Sequence, residues 1–233
     1  MQLEGARTLV VGATGVLGGA AARDLGARGA RLALTGRDAG RLSAVVTDTG
    51  ADAAYELDVL DVRACGQVVG WAARDLGGLD VVVVAHGIAA FGAAGDLDDA
   101  VAEELLAVNT LGVMALTRGA LDQLGRGGML CVVTAVLADM PMAGMAAYSA
   151  SKAATSAYLT AVRREVRRSG IHVLDVRPPH MDTGLVDRAV AGDPPPLPAG
   201  HDIDDVVEHM LRGIEQGSRE LVVDARGGTL ILR

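Results

Sequence analysis

Short β-rich runs and longer helical patterns alternate along this chain from one end to the other. That alternation restricts the fold more than any other feature. The strand candidates are Thr8–Val11, Arg31–Thr35, Ala53–Glu56, Val81–Ala85, Met129–Thr134, His172–Val176 and Leu221–Val223. Helical patterns fall between them, roughly at Val16–Arg28, Val62–Leu76, Asp99–Leu124, Ala147–Arg168 and Asp204–Gln216. Repeated strand-then-helix units imply a parallel sheet with right-handed crossovers, so an α/β fold on a seven-stranded parallel sheet is expected. The run Val81-Val82-Val83-Val84 is apolar without a break, as suits a strand covered on both faces. Only 2% of the residues are aromatic while half are hydrophobic, so Val, Leu, Ala and Ile must build the core. The 233 residues contain no repeat and no internal linker, and one domain over residues 1–233 is expected. Residues 192–198, Gly-Asp-Pro-Pro-Pro-Leu-Pro, read as a loop.

A formal net charge of −8 argues against a nucleic-acid partner, because no basic face offsets it. The one dense basic stretch, Arg163 to Arg168, suits a helix C-terminus, where cations meet the negative end of the dipole. Cys65 and Cys131 lie in unrelated segments without metal-ligand spacing, so no metal site is expected, and a reduced, cytoplasmic protein is. The small, apolar stretch Thr8 to Ala22 is short for a membrane span and is interrupted by glycines. It also lacks the basic leader of a secretory signal, and no membrane association is expected.

Directly after the first strand comes Gly12-Ala13-Thr14-Gly15-Val16-Leu17-Gly18, a G-x-x-G-x-x-G turn that opens a helix. Glycines permit a tight turn and close backbone approach to a pyrophosphate, and the helix N-terminus adds donors and dipole. Gly12, Thr14, Gly15, Val16, Leu17 and Gly18 are therefore candidate cofactor-binding residues. The alternative is a mere strand-to-helix turn. The second strand ends at Leu34-Thr35-Gly36-Arg37, with no carboxylate at its tip to hold a ribose 2′-hydroxyl. Arg37 suits a 2′-phosphate instead, so NADP(H) is favoured over NAD(H), although Asp38 follows at once. Asp58-Val59, after the third strand, is a candidate adenine site; the bland reading is that Asp58 and Asp61 start the next helix.

Tyr148 and Lys152 are four residues apart, so on a helix phenol and ammonium point into one space. A nearby ammonium is expected to lower the tyrosine pKa and make the phenol a usable proton donor or acceptor. Lys152 is the only lysine in the chain and Asn109 the only asparagine. Such scarcity favours specific roles over solvated surface positions.

The turn Gly12 to Gly18, Gly87 after the fourth strand, Asn109, the Tyr148/Lys152 pair and Pro178 with Thr183 together resemble the short-chain dehydrogenase/reductase superfamily. The likeness spans essentially the whole chain. It implies a doubly wound, three-layer Rossmann-type fold with a bound nicotinamide dinucleotide. It further implies that Tyr148 protonates a carbonyl oxygen as hydride arrives, or deprotonates an alcohol in reverse. Lys152 would hold the nicotinamide ribose, Asn109 would position a water in a proton relay, and Thr183 would contact the carboxamide. Three departures stand out. The family's usual serine is Ala135 here, and Thr134, one residue earlier, is the candidate replacement donor. The glycine spacing resembles that of the larger nucleotide-sugar branch, whose added substrate domain has no room here. The segment Val84-Ala85-His86-Gly87 replaces Asn-Asn-Ala-Gly, leaving Ala85, His86 and Gly87 to border the cofactor, with His86 a local hydrogen-bonding residue rather than a catalyst.

The segment Thr183 to His201 is expected to cover the substrate, with His180 beside it and Met140, Met142 and Met145 lining the pocket or packing elsewhere. These features point to an enzyme acting on a small-molecule ketone, aldehyde or alcohol, and the resemblance implies a homodimer or homotetramer. One alternative is a dinucleotide-binding sensor or scaffold, for which Ala135 speaks. Another is a nonredox reaction with tightly held cofactor.

Overall fold

Four successive valines take the centre of the fold because both of their faces have a layer to fill. In the computed structural model of the chain, which describes residues 1–224 and 228–233, they belong to strand β4 (Leu79–Val84). Val81 and Val83 enter one apolar core and Val82 and Val84 another, the period-two alternation of a doubly covered strand. Around it stand β1 (Arg7–Val11), β2 (Arg31–Gly36), β3 (Ala53–Glu56), β5 (Leu124–Val133), β6 (His172–Val176), β7 (Glu220–Val223) and β8 (Leu230–Leu232). They form one sheet in the order β3-β2-β1-β4-β5-β6-β7-β8. Every pairing is parallel except that of β7 with β8. The expected doubly wound parallel sheet is present, with an eighth, antiparallel strand added at its edge. Three residues of Leu-Ile-Leu are too short to show a period, which is why that strand is invisible in the sequence.

Helices α1 (Val16–Ala27), α2 (Ala39–Thr49) and α7 (Ile203–Gln216) cover one face. Helices α3 (Val62–Leu76), α5 (Gly112–Gln123) and α6 (Ala146–Glu165) cover the other. The sequence pattern did not announce α2, of which only Leu42 is fully buried. Its ends are set locally: Asp38 caps the first turn and Gly50 closes it with a φ of 67°, a conformation that favours glycine. The single helix expected over Asp99–Leu124 is divided. A helix α4 (Asp99–Leu106) runs through a π turn at Ala107–Leu111 into α5. That stretch is long and apolar enough to cross a membrane by length and composition, but half of its apolar window is buried within the fold. Chain order reverses between β1 and β4, so their carboxyl ends open a crevice where the two connections part.

Candidate active site

The crevice at the ends of β1 and β4 is one continuous cleft, lined at one end by Gly12, Thr14, Gly15, Val16 and Leu17 and at the other by Tyr148 and Lys152. Two glycines of the turn, Gly12 and Gly18, are sterically required. Gly12 has a φ of 84°, and a Cβ there would lie 2.9 Å from the His86 amide nitrogen. A Cβ on Gly18 would meet the Gly12 carbonyl oxygen at 2.3 Å. Gly18 thus packs helix against turn and does not line the cleft, whereas Gly12 and Gly15 do. No side chain caps α1 at Gly15, so its first-turn N–H groups and dipole face the cleft as an anion site. This cradle fits the pyrophosphate of a nicotinamide dinucleotide.

At the tip of β2, Thr14 packs so tightly on Gly36 that a Cβ there would come within 2.3 Å of its methyl carbon. Arg37 is exposed and lines the cleft. The neighbouring Asp38 is turned away to cap α2, its Oδ1 accepting from the Arg41 amide at 2.7 Å. Arg41 also lines the cleft, and its guanidinium donates to the Thr14 carbonyl at 2.6 Å. Two arginines at this corner, with Asp38 turned away, suit a 2′-phosphate. Arg41 escaped the sequence reading because it sits on α2, the helix that went unread. Asp58 and Val59 line the same end. Asp61, not Asp58, caps α3, accepting from the amides of Arg63 and Ala64, while Asp58 closes a local turn onto the Leu60 amide.

Tyr148, in the first turn of α6, is 6% exposed and sits in an apolar cluster with Phe91, Ala135 and Met145. Burial pushes its phenol up to about 12. One turn on, Lys152 is also buried, and desolvation pushes its ammonium down to about 8 against an opposing pull from Asp175. Its Nζ lies 6.0 Å from the Tyr148 ring centroid and donates to the Val133 carbonyl at 3.3 Å. The phenol is thus raised by burial, where an adjacent ammonium was expected to lower it. Gly87 lets the loop after β4 approach both groups: a Cβ there would be 3.1 Å from Asn109 Oδ1 and 3.2 Å from Lys152 Nζ.

Asn109 lies in the π turn and does not line the cleft. Its amide nitrogen donates to the Ile88 carbonyl and to Ser151 Oγ, both at 3.0 Å, while Oδ1 accepts from the Ile88 amide. Thr155 Oγ1 donates to its carbonyl at 2.7 Å. The lone asparagine therefore staples the π turn to α6 and to the loop after β4, and its side chain is fully engaged. His86 lines the cleft; its Nε2 bonds the Val108 carbonyl at 3.0 Å, as a local hydrogen-bonding residue would, while Nδ1 is buried without a partner among the described residues. Burial pushes His86 down to about 4, so it is neutral at physiological pH.

Thr134, the candidate substitute for the missing serine, lines the cleft, but its hydroxyl is already engaged. It continues the face of β5 that looks towards α6, and its hydroxyl donates to Asp175 Oδ1 at 2.5 Å and lies 3.2 Å from the Val176 carbonyl. Ala135, in extended backbone with φ −170° and ψ 156°, shares an apolar cluster with Tyr148.

Pro178, Thr183 and His180 line the cleft, as do Ala85, His86 and Gly87. The covering segment carries little regular structure, as its prolines led one to expect. It is tied down by backbone bonds from Val190 to Ala89 and from Phe91 to Ala191, both 2.9 Å. Gly192 makes this seam possible, since a Cβ there would meet the Phe91 carbonyl at 2.1 Å. Met142 and Met145 line the pocket, whereas Met140 is 61% exposed and does not.

The short chain dehydrogenase family profile matches residues 6–193. Among solved structures, a short chain dehydrogenase from Burkholderia cenocepacia J2315 in complex with NADP superposes with a TM-score of 0.85 at 30% identity, covering 96% of this chain and 98% of that one. Among curated proteins, a cyclic-di-GMP-binding biofilm dispersal mediator protein of Escherichia coli K12 is 35% identical over 47% of this chain and 47% of its own length. Dehydrogenase/reductase SDR family member 7B of Danio rerio is 30% identical over 66% of this chain and 52% of its own length. The chain spans about half the length of the curated relatives it matches.

Proposed function

The chain belongs to the short chain dehydrogenase family of oxidoreductases, and on that premise we propose that it interconverts an apolar ketone or aldehyde and its alcohol with NADP(H). The observation that carries this reading is the single cleft joining an uncapped glycine turn to a buried tyrosine–lysine pair. A bound nicotinamide dinucleotide supplies or accepts the hydride. The residues of this chain do the rest. The α1 N-terminus holds the pyrophosphate, Arg37 and Arg41 hold the 2′-phosphate, and Asp58 and Val59 border the adenine. Pro178 and Thr183 hold the carboxamide, and Tyr148 moves the proton at the substrate oxygen. Lys152 binds the nicotinamide ribose and supplies positive charge. Ala89, Phe91, Ala135, Met142 and Leu185 form the wall beside Tyr148, and that apolar surface is the reason for choosing an apolar substrate.

We test this by titrating NADPH and NADH into the protein, then following oxidation of NADPH against ketones, aldehydes and quinones. Turnover on an apolar carbonyl is expected, and failure to bind either nucleotide would sink the reading. Replacing Arg37 and Arg41 together by Ala is expected to narrow the preference for NADPH over NADH at least tenfold. Each charge-assisted bond lost is worth about 1.5–3 kcal/mol; an unchanged ratio refutes the assignment.

Ala135 beside Tyr148 favours a second reading, a nucleotide-binding sensor with little catalysis, in line with the mediator protein among the relatives. Tight NADPH binding without turnover on any carbonyl would decide for it. Residues 1–233 act as one domain in either case, supported by the single sheet through which all the elements pack. We further infer a homodimer or homotetramer, for which exposed Leu106 and Leu111 on the α4–α5 segment offer an apolar face; a monomeric mass by light scattering would exclude it.

A further inference from the structure

Beneath the floor of the cleft, on the side of the sheet that faces α6, lies a carboxylate with no solvent contact. Asp175, in β6, is 0% exposed. Its Oδ1 accepts from Thr134 Oγ1 at 2.5 Å, and its Oδ2 from Ser156 Oγ at 2.6 Å and from Arg177 Nε at 2.8 Å. A buried charge is costly unless it is paired and fully bonded, and none of these bonds is needed to form the sheet. Two of its partners lead towards the reactive centre. Ser156 lies four residues after Lys152 on α6, one turn along the same face. Thr134 follows Val133, whose carbonyl accepts from Lys152 Nζ at 3.3 Å. The end of β5 therefore holds the lysine by one residue and the carboxylate by the next.

We propose that Asp175 is a positioning residue for Lys152: a fixed counter-charge behind the cleft that keeps the lysine protonated next to Tyr148. Other polar groups around Lys152 do not supply that charge. On α6 itself stands the phenol of Tyr148. From the loop after β4 come Gly87 and the neutral His86. Behind Asp175 stands Arg177, which is shared with Asp139 and Glu220 and would by itself repel an ammonium. Desolvation opposes the charged lysine, and Asp175 is the group that pulls the other way. The sequence shows only an aspartate in the middle of an apolar strand, which is why the pairing emerges from the fold. The inference rests on Lys152 as the partner of Tyr148.

Lys152 is the only lysine in the chain, so its charge can be read without any assay of activity. Protein labelled with 13C- and 15N-lysine gives one side-chain signal, whose chemical shift is followed against pH in the wild type and two variants. Asp175→Asn keeps the shape and can keep the bonds, because the Thr134 hydroxyl can turn to the Val176 carbonyl 3.2 Å away. In it the lysine is expected to titrate about one pH unit or more lower. Arg177→Gln removes the cation that offsets the carboxylate, and there the lysine is expected to titrate higher. A purely structural role would move both variants in the same direction or neither, and either result overturns the proposal. If one variant does not fold, the sign of the other decides. When turnover has been found, the alkaline limb of the pH–rate profile is expected to move down with the lysine in Asp175→Asn. Opposite shifts of the lysine in a protein that reduces no carbonyl would uphold the charge pairing and reject the oxidoreductase reading instead.

Discussion

Replacing Tyr148 by Phe is expected to lower kcat about a thousandfold while leaving the Kd for NADPH within about threefold of wild type. The separation follows from where the side chain sits. The ring is buried among Phe91, Ala135 and Met145, so phenylalanine keeps the packing and removes only the hydroxyl. The nucleotide end of the cleft is built by the α1 N-terminus and the β2 tip, on elements that do not contact the ring through any bond described. With the phenol pushed up to about 12 by burial, the protonated form dominates at neutral pH, which suits donation to a carbonyl. Ala135 offers no hydroxyl and Thr134 spends its own on Asp175, so neither residue at the end of β5 replaces the lost donor. Steady-state rates beside fluorescence titration of NADPH check this; a variant with turnover within tenfold of wild type would exclude Tyr148 as the proton donor.

Lys152→Met is expected to move activity and stability in opposite directions. Turnover falls with the loss of the ammonium and its hold on the ribose. Stability rises, because a lysine that titrates at about 8 in the folded protein, against 10.5 for the free side chain, is buried at a cost when charged. The sign follows from proton binding. Between about pH 8 and 10.5 the unfolded chain holds a proton at this position that the folded chain has released, so wild-type stability gains from Lys152 as pH rises through that window. Below it the full penalty applies, on the order of 3 kcal/mol at 1.36 kcal/mol per pH unit. Methionine fills the same volume without a charge, so the variant is expected to be more stable by a large part of that amount at pH 7. The difference should shrink towards pH 10.5. Urea unfolding at pH 7 and pH 10 measures it; a variant less stable than wild type at pH 7 would show that the lysine is better solvated than its burial indicates.

The strands were legible wherever apolar runs were long or flanked by turn residues. β3 and β6 match their expected bounds, and α3 does so as well. Local chemistry sufficed there: Asp61 caps α3 at one end and Gly77 closes it in the left-handed region at the other. The glycine turn and the Tyr148/Lys152 pair were legible for a related reason, since both are fixed by spacing along one element. What failed to show was short or only shallowly buried. Helix α2 buries a single residue fully, β8 has three residues, and the π turn that splits α4 from α5 has no local sequence signal.

Direction within the site belongs to the tertiary structure. The sequence by itself determined a parallel α/β sheet, a nucleotide turn after the first strand and a phenol with an ammonium one helical turn away, because periodicity and i,i+4 spacing act within a single element. It could not determine which face of β5 Thr134 would occupy relative to α6, and so whether its hydroxyl would serve Tyr148 or Asp175. Nor could it show that Asn109 is wholly used in stapling α6 to the loop after β4, that Asp38 turns back to cap α2 and leaves Arg37 and Arg41 to the cleft, or that Lys152 is buried above a second buried charge. Apart from the Asp38 cap, which is a contact three residues along the chain, those outcomes depend on groups tens of residues apart competing for the same donors and acceptors, and only the packing of the two helical layers against the sheet decides which of them meet.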